Sequence, residues 1–334
     1  MQTEHQLLAW LKPVSRSFYL SIRFLPRNIR PTLALAYLLA RASDTIADTN
    51  GLPAEARLAA LQSFTGALDQ RSPEFLGSPK FQISPEFLRW LEPCVQGQAP
   101  GPEKALLEAL PEILRVMPQL PATHRRLVAD VLRKIVHGQS LDVERFETGP
   151  GLRALKSDAE LNEYTYLVAG CVGEFWTKLC CLEWPRYATL PEAQLLTLGI
   201  QFGQGLQLTN ILRDFPADVR AGRCYLPVAD PEALRREPER AREVHRRYLN
   251  QAFSRLQAAW TYTGSLRPKA VRFSCALPVL IGVRTLRKMA EAPVAEAGVK
   301  VSRPEVRRLM VLAATAAFWP RVHARLSKRE FRKL

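Results

Sequence analysis

The chain has few cysteines and none in a CxxC spacing: six in 334 residues, with one adjacent pair at Cys180-Cys181. That argues against a disulfide framework and fits reduced thiols in a cytosolic chain. Long apolar runs are missing too. The longest uncharged stretches toward the C-terminus, Phe273–Val283 and Leu309–Pro320, are bounded by arginine and fall short of the roughly 20 residues that span a bilayer. No integral anchor is expected. The N-terminus has no basic region followed by an apolar core, so no secretory signal is expected either. Alternating, strand-like patterns are scarce. No repeat or Gly/Ser linker divides the sequence. The only loose region, Gln70 to Pro102, clusters proline, glycine and serine and reads as a surface connection within one domain. Length alone admits two domains, but a single large helical domain over 1–334 is the simpler expectation.

Acidic residues are in deficit, 32 against 47 basic ones, for a net charge of +15. Many basic residues lie in the last hundred positions, as in Arg235-Arg236, Arg246-Arg247, Arg307-Arg308 and Lys328-Arg329. Such pairs ordinarily mark a solvated helix face, yet a basic surface also attracts anionic lipid, nucleic acid or polyanionic substrates. Charge alone does not choose among these. A nucleic-acid surface would interleave basic residues with aromatics, and the pairs here have few such neighbours, so nucleic acid is not an expected partner.

What the sequence does have is helical periodicity nearly throughout, in segments about Pro31–Ala47, Pro53–Leu68, Lys104–Val116, Ala122–His137, Asp158–Cys181, Glu192–Leu212, Pro238–Thr263 and Lys269–Ala290. An all-α fold follows. A basic helical extension is expected over 291–334.

Two aspartate-rich segments stand out, Asp44-Thr45-Ile46-Ala47-Asp48 and Asn210-Ile211-Leu212-Arg213-Asp214-Phe215-Pro216-Ala217-Asp218. Each closes a largely apolar helical stretch, which would bury several oxygen ligands on one helix face. Without a cation to receive them that is costly. At 100° per residue, Arg41, Asp44 and Asp48 fall at about 40°, −20° and 20° from Tyr37, on one stripe roughly 60° wide. Asn210, Asp214 and Asp218 fall at about −60°, −20° and 20° from Gln207. Pro216 disturbs this second stripe, because an interior proline removes a backbone bond, and leaves the phase of Asp218 open. Carboxylates and an amide carbonyl are hard ligands suited to Mg²⁺, which commonly shares its site with phosphates. The pair of segments therefore points to a diphosphate held through magnesium. His137, before Gly138, reads as a helix-terminal or packed histidine. Asp142 either faces a cavity or caps a helix.

In order along the chain stand Ser15-Arg16-Ser17-Phe18, Tyr37-x3-Arg41-x2-Asp44-x3-Asp48, Tyr164-Thr165-Tyr166-Leu167-Val168-Ala169-Gly170-Cys171-Val172-Gly173, Gln207-x2-Asn210-x3-Asp214-x3-Asp218 and Gly222-Arg223-Cys224-Tyr225-Leu226-Pro227. Over roughly residues 13 to 290 this array resembles the squalene and phytoene synthases, head-to-head prenyl transferases. The resemblance implies the isoprenoid synthase fold around a central cavity, and condensation of two C15 or C20 allylic diphosphates through a cyclopropylcarbinyl diphosphate. It implies Mg²⁺ ligands at Asp44, Asp48, Asn210, Asp214 and Asp218. Tyr37, Arg41 and Gln207 would contact diphosphate or the metal shell, and Ser15, Ser17 and Phe18 would line the cavity mouth. Tyr164 would serve the cyclopropane-forming step, its alternative being a packing aromatic. Arg213 and Arg223 are either diphosphate contacts or simple partners of the carboxylates beside them.

For the product, Thr45 after Asp44, the run Cys275-Ala276-Leu277-Pro278, and Val283 where carotenoid-forming relatives often carry tyrosine lean toward the squalene-forming members, which act on farnesyl diphosphate and reduce the intermediate with NADPH. The chain carries no GxGxxG, but this family binds NADPH without one. A phytoene- or dehydrosqualene-forming enzyme that omits reduction is the alternative, and a non-enzymatic assembly or lipid-binding relative is the third reading. The location expected is cytoplasmic, with peripheral contact at the inner face of an anionic membrane.

Overall fold

The computed structural model describes residues 2–15, 18–68, 83–147, 151–292 and 299–332. The chain forms two compact units, Met1–Thr148 and Gly149–Leu334. Among the described residues the secondary structure is helical except for a parallel pair of two-residue strands and one isolated bridge, so the fold is all-α.

In the first unit, α1 (Gln2–Val14) and α2 (Phe18–Arg23) precede α3 (Arg30–Ala47), followed by α4 (Ala54–Ala67), α5 (Pro85–Gln96), α6 (Pro102–Leu114), a 3₁₀ turn (Met117–Gln119) and α7 (Ala122–Phe146). Helix α3 opens with a proline in its first turn, where the ring's fixed φ suits a helix and the missing N–H costs nothing. Its Leu33, Leu35, Leu38, Leu39 and Ile46 are buried against α1, α6 and α7, each side chain stabilising by about 1.5–3 kcal/mol. Its C-terminal carbonyls are held from outside. The buried Arg57 of α4 donates to the Ala47 carbonyl at 2.7 Å, and Gln98 Nε2 donates to the Thr45 carbonyl at 3.4 Å. Buried Thr32 of α3 also meets His124 Nδ1 of α7 at 2.8 Å.

Two expectations are corrected in this unit. Helix α7 runs straight through His137-Gly138, so His137 does not end a helix and Asp142 does not cap one. An interior glycine costs only about 1 kcal/mol, and burial of Val128, Leu132, Ile135, Val136, Val143 and Phe146 outweighs it. His137 is exposed. Within the stretch read as loose, α5 is a helix. Ser84 accepts from the Phe87 amide at 3.1 Å and a proline opens the first turn, a helix start despite its loop-like composition. The rest of that stretch, up to residue 82, lies outside the described residues.

The second unit runs β1 (Arg153–Ala154), α8 (Asp158–Thr165), one π-helical turn (Tyr166–Gly170), α9 (Cys171–Glu183), α10 (Glu192–Arg220), β2 (Arg223–Cys224), α11 (Ala233–Arg236), α12 (Pro238–Ser265), α13 (Lys269–Glu291), α14 (Arg303–Phe318) and α15 (Pro320–Glu330). Helix α10 packs between α9 and α12. It meets the Tyr166–Glu183 stretch backbone to backbone: a Cβ added at Gly173 would lie 1.8 Å from the Gly199 carbonyl oxygen, and one at Gly203 2.1 Å from that of Ala169. Only glycine permits this approach. A buried hydroxyl chain, Thr177 to Tyr262 to Tyr187 at 3.0 Å each, links α9, α12 and the turn after α9. Pro216 does not break α10, which continues to Arg220.

Candidate active site

Each aspartate segment forms a stripe on a helix held by its own unit. On α3, Tyr37, Arg41 and Asp44 follow at one-turn spacing, and Asp48 is the C-cap, its amide donating to the Asp44 carbonyl. Arg41 pairs with Asp44 and, through its other amino group at 3.1 Å, with Glu103 in the first turn of α6. Burial lowers the affinity of Arg41 for its proton, but Asp44 and Glu103 outweigh it and the guanidinium is held above its usual range. The Asp44 side chain is 44% exposed and Asp48 is exposed. The stripe is therefore open rather than sealed, and the expectation of buried ligands is corrected. The apolar residues of α3 turn inward and leave the carboxylates at its rim.

On α10, Gln207 and Asp214 are half-buried, Asn210 is exposed, and Asp218 sits one turn beyond Asp214. Arg213 grips Asp214 with two bonds, Nε to Oδ1 at 2.9 Å and a terminal amino group to Oδ2 at 2.6 Å. Burial pushes Asp218 up to about 6, with Arg223 pulling down, Asp214 pushing up and Arg213 pulling down. Arg223 is placed by the end of α10. Gly222 takes φ 86° to turn the chain, and the residues after it pair as β2 with β1, Arg153 opposite Arg223. Positive φ at that turn favours glycine.

Tyr164 lies in the last turn of α8, two residues before the π-helical turn, a feature often met at functional sites. Its ring is buried and stacks on Tyr225 with centroids 5.0 Å apart. Tyr225 belongs to the Gly222–Pro227 run, so the segment that places Arg223 also supports Tyr164. Ser15 is buried and its Oγ accepts from the Tyr19 amide at 3.0 Å, a helix-capping bond. Ser17 and the side chain of Phe18 lie outside the described residues. Sequence reading missed three residues here. Glu103 shares Arg41 from 62 positions away. Tyr225 backs Tyr164. Gln204 donates from α10 to the Asn162 carbonyl of α8 at 3.1 Å. The only sequence signal for Gln204 is its three-residue spacing from Gln207 in an apolar run.

The donors fit a hard divalent ion. Each stripe offers two carboxylates, with the Asn210 amide beside the second pair, and Mg²⁺ completes its shell with water and substrate oxygens. Among the described residues no group of three or more His, Cys, Asp or Glu side chains converges on one point. In the second stripe Arg213 and Arg223 balance the two carboxylates, so an anion is accommodated as readily as a cation.

The chain is all-helical, and each of its two units carries one arginine-flanked carboxylate stripe. The sequence model of the squalene/phytoene synthase family matches residues 11–309, and the chain belongs to that family. It is similar to the bifunctional lycopene cyclase/phytoene synthase of Pyrenophora tritici-repentis (28% identity, 73% of this chain and 39% of that protein). It is also similar to the squalene synthases of Eremothecium gossypii (27%, 83% and 60%) and Homo sapiens (24%, 83% and 61%). The chain thus spans less than two thirds of the length of these relatives. Among solved structures it resembles TcSQS in complex with the ligand E5700 (TM-score 0.77, 22% identity, 98% of this chain and 90% of that one). It also resembles a dehydrosqualene synthase in complex with a ligand (TM-score 0.61, 18% identity, 94% and 96%). Both share the isoprenoid synthase fold.

Proposed function

We propose that this chain is a magnesium-dependent, head-to-head prenyl transferase that joins two farnesyl diphosphates through presqualene diphosphate and reduces that intermediate with NADPH to squalene. The observation that carries the reading is a pair of aspartates at one-turn spacing with a guanidinium bonded to the first of them, on each of two helices, in a member of this family. Bound Mg²⁺ would supply charge neutralisation on the departing diphosphate. Asp44 and Asp48 would hold it at one stripe, Asn210, Asp214 and Asp218 at the other. Arg41, Arg213 and Arg223 would take diphosphate oxygens as the C–O bond breaks, exchanging Asp44, Glu103 and Asp214 for the stronger anion. Tyr37 and Gln207 would hydrogen-bond the same groups. Tyr164 would present a phenol and a π face to the allylic cation, taking a proton or steadying charge while the cyclopropane closes.

Two observations favour squalene over its unreduced relatives. Thr45, after Asp44, donates its hydroxyl back to the Arg41 carbonyl at 2.9 Å and is buried, so this position adds no third ligand. Cys275 and Val283 are buried on α13, where the sequence leans to the squalene-forming pattern. The phytoene and dehydrosqualene synthases among the relatives keep reduction-free coupling as the second reading. Retention of both aspartate stripes speaks against a non-catalytic lipid-binding role. Incubation with farnesyl diphosphate and Mg²⁺, with and without NADPH, followed by mass analysis, tests the proposal. Squalene formed only with NADPH supports it, whereas the same hydrocarbon in both reactions, or turnover of geranylgeranyl diphosphate alone, overturns it.

We also propose a cytoplasmic enzyme that touches an anionic membrane peripherally, since its substrate has a greasy tail and its product is wholly apolar. No described helix is long and apolar enough to cross a membrane. Val311, Phe318 and Trp319 are exposed beside Arg307, Arg308 and Arg321 on α14 and α15, an apolar and basic surface suited to anionic lipid.

A further inference from the structure

Helix α10 carries Asp214 and Asp218 on either side of Pro216, yet it does not break there. Proline has no N–H to give the carbonyl four residues back, and its ring crowds that carbonyl. The orphaned acceptor is the Leu212 carbonyl, deep in the unit, and leaving a buried carbonyl unpaired is costly. The structure supplies a replacement: His245 of α12, 4% exposed, places Nε2 at 3.0 Å from the Leu212 oxygen. Since a carbonyl only accepts, Nε2 carries the proton and donates. The same ring packs against Phe215 at 5.7 Å between centroids. One side chain thus bonds the residue before Asp214's turn and packs on the residue after Asp214.

We propose that His245 is a positioning residue: its Nε2–H replaces the helix bond that Pro216 deletes, and so keeps Asp214 and Asp218 one unbroken turn apart on one face of α10. Without it, the expected result is a proline kink between the two carboxylates. The metal-holding part of the inference rests on the function proposed above. The pairing of His245 with Pro216 does not.

A double-mutant cycle on the full chain tests it. His245→Phe removes the donor but keeps a ring. His245→Gln keeps an N–H donor at a similar reach without the ring. Pro216→Ala returns the backbone N–H to Leu212. The account expects His245→Phe to lower Tm and to weaken Mn²⁺ binding, followed by electron paramagnetic resonance of free Mn²⁺, by about tenfold. His245→Gln should recover part of both. In the Pro216→Ala background, His245→Phe should cost much less on each readout, because the carbonyl already has its partner. Equal losses with and without Pro216 overturn the proposal and make His245 a packing residue. If wild type itself binds no Mn²⁺, the metal reading of the aspartates falls, and the Tm cycle alone decides the coupling between positions 216 and 245. If His245→Phe does not fold in the wild-type background, its recovery by Pro216→Ala supports the proposal, and failure in both backgrounds overturns it.

Discussion

Tyr164 has its ring buried and stacked on Tyr225, so Tyr164→Phe removes a hydroxyl and leaves the stack. The account expects formation of the cyclopropyl diphosphate from farnesyl diphosphate to fall by about 10²–10⁴-fold, the usual worth of a placed proton-transfer group. Turnover of supplied cyclopropyl diphosphate should fall much less. Equal loss in the two half-reactions would assign the residue to packing. At this scale the sequence was informative where spacing within one helix decides the matter: Tyr37, Arg41, Asp44 and Asp48 needed only a 3.6-residue period. It was silent on Glu103, Tyr225 and His245, whose roles come from partners on other helices. A proline inside a helix announces an orphaned carbonyl, but not which side chain will reach it.

Some helices meet here through glycine, and a glycine at such a contact and one away from any contact make opposite predictions. Gly203→Ala puts a methyl where the Ala169 carbonyl already lies. It should therefore destabilise by about 1–3 kcal/mol as overpacking does, net of the better helix propensity. Gly66 on α4 has nothing within 4 Å of such a Cβ, so Gly66→Ala should stabilise by about 0.5–1 kcal/mol. Thermal unfolding of both variants checks the pair, and a loss at Gly66 or neutrality at Gly203 would contradict the packing described. A second element-scale prediction concerns α15, where His323 stacks on Trp260 at 4.1 Å and its ring fills the space above Gly264. Burial, with the nearby charge of Arg272, pushes His323 down to about 4 from its ordinary 6.5. The folded state then binds fewer protons than the unfolded chain between those values, so this contribution is complete above about pH 6.5 and is lost as pH falls toward 4. His323→Phe should flatten the decline of Tm between pH 7 and 4.5, whereas an unchanged decline would place the acid sensitivity elsewhere. The long helices were legible because their buried faces repeat. Helix α5 was hidden by proline and serine that serve as its cap and first turn, and α7 was cut short at a glycine that packing overrides.

For the whole molecule, the net charge of +15 and the exposed Val311, Phe318 and Trp319 beside basic residues carry the prediction of a salt-dependent lipid contact. Each basic residue near an anionic surface contributes about 1 kcal/mol, fading over roughly 8 Å at physiological ionic strength. Cosedimentation with liposomes should therefore favour anionic over neutral vesicles and weaken at high salt, and a Phe318→Ala, Trp319→Ala double variant should bind less at every salt. Binding equal on both lipids, or unchanged by salt, would contradict the electrostatic account. The charge was plain in the sequence, but its apolar companions on α14 and α15 were not, because exposure is set by which face those helices pack inward. The central claim is that each aspartate stripe serves a metal-assisted loss of diphosphate. The most direct measurement is single-turnover diphosphate release from farnesyl diphosphate by wild type, Asp44→Asn and Asp214→Asn, across Mg²⁺ concentrations. The account predicts that each change lowers release at least about a hundredfold with the helices still folded. Near-normal release in either single variant, or release that persists with chelator, would contradict it.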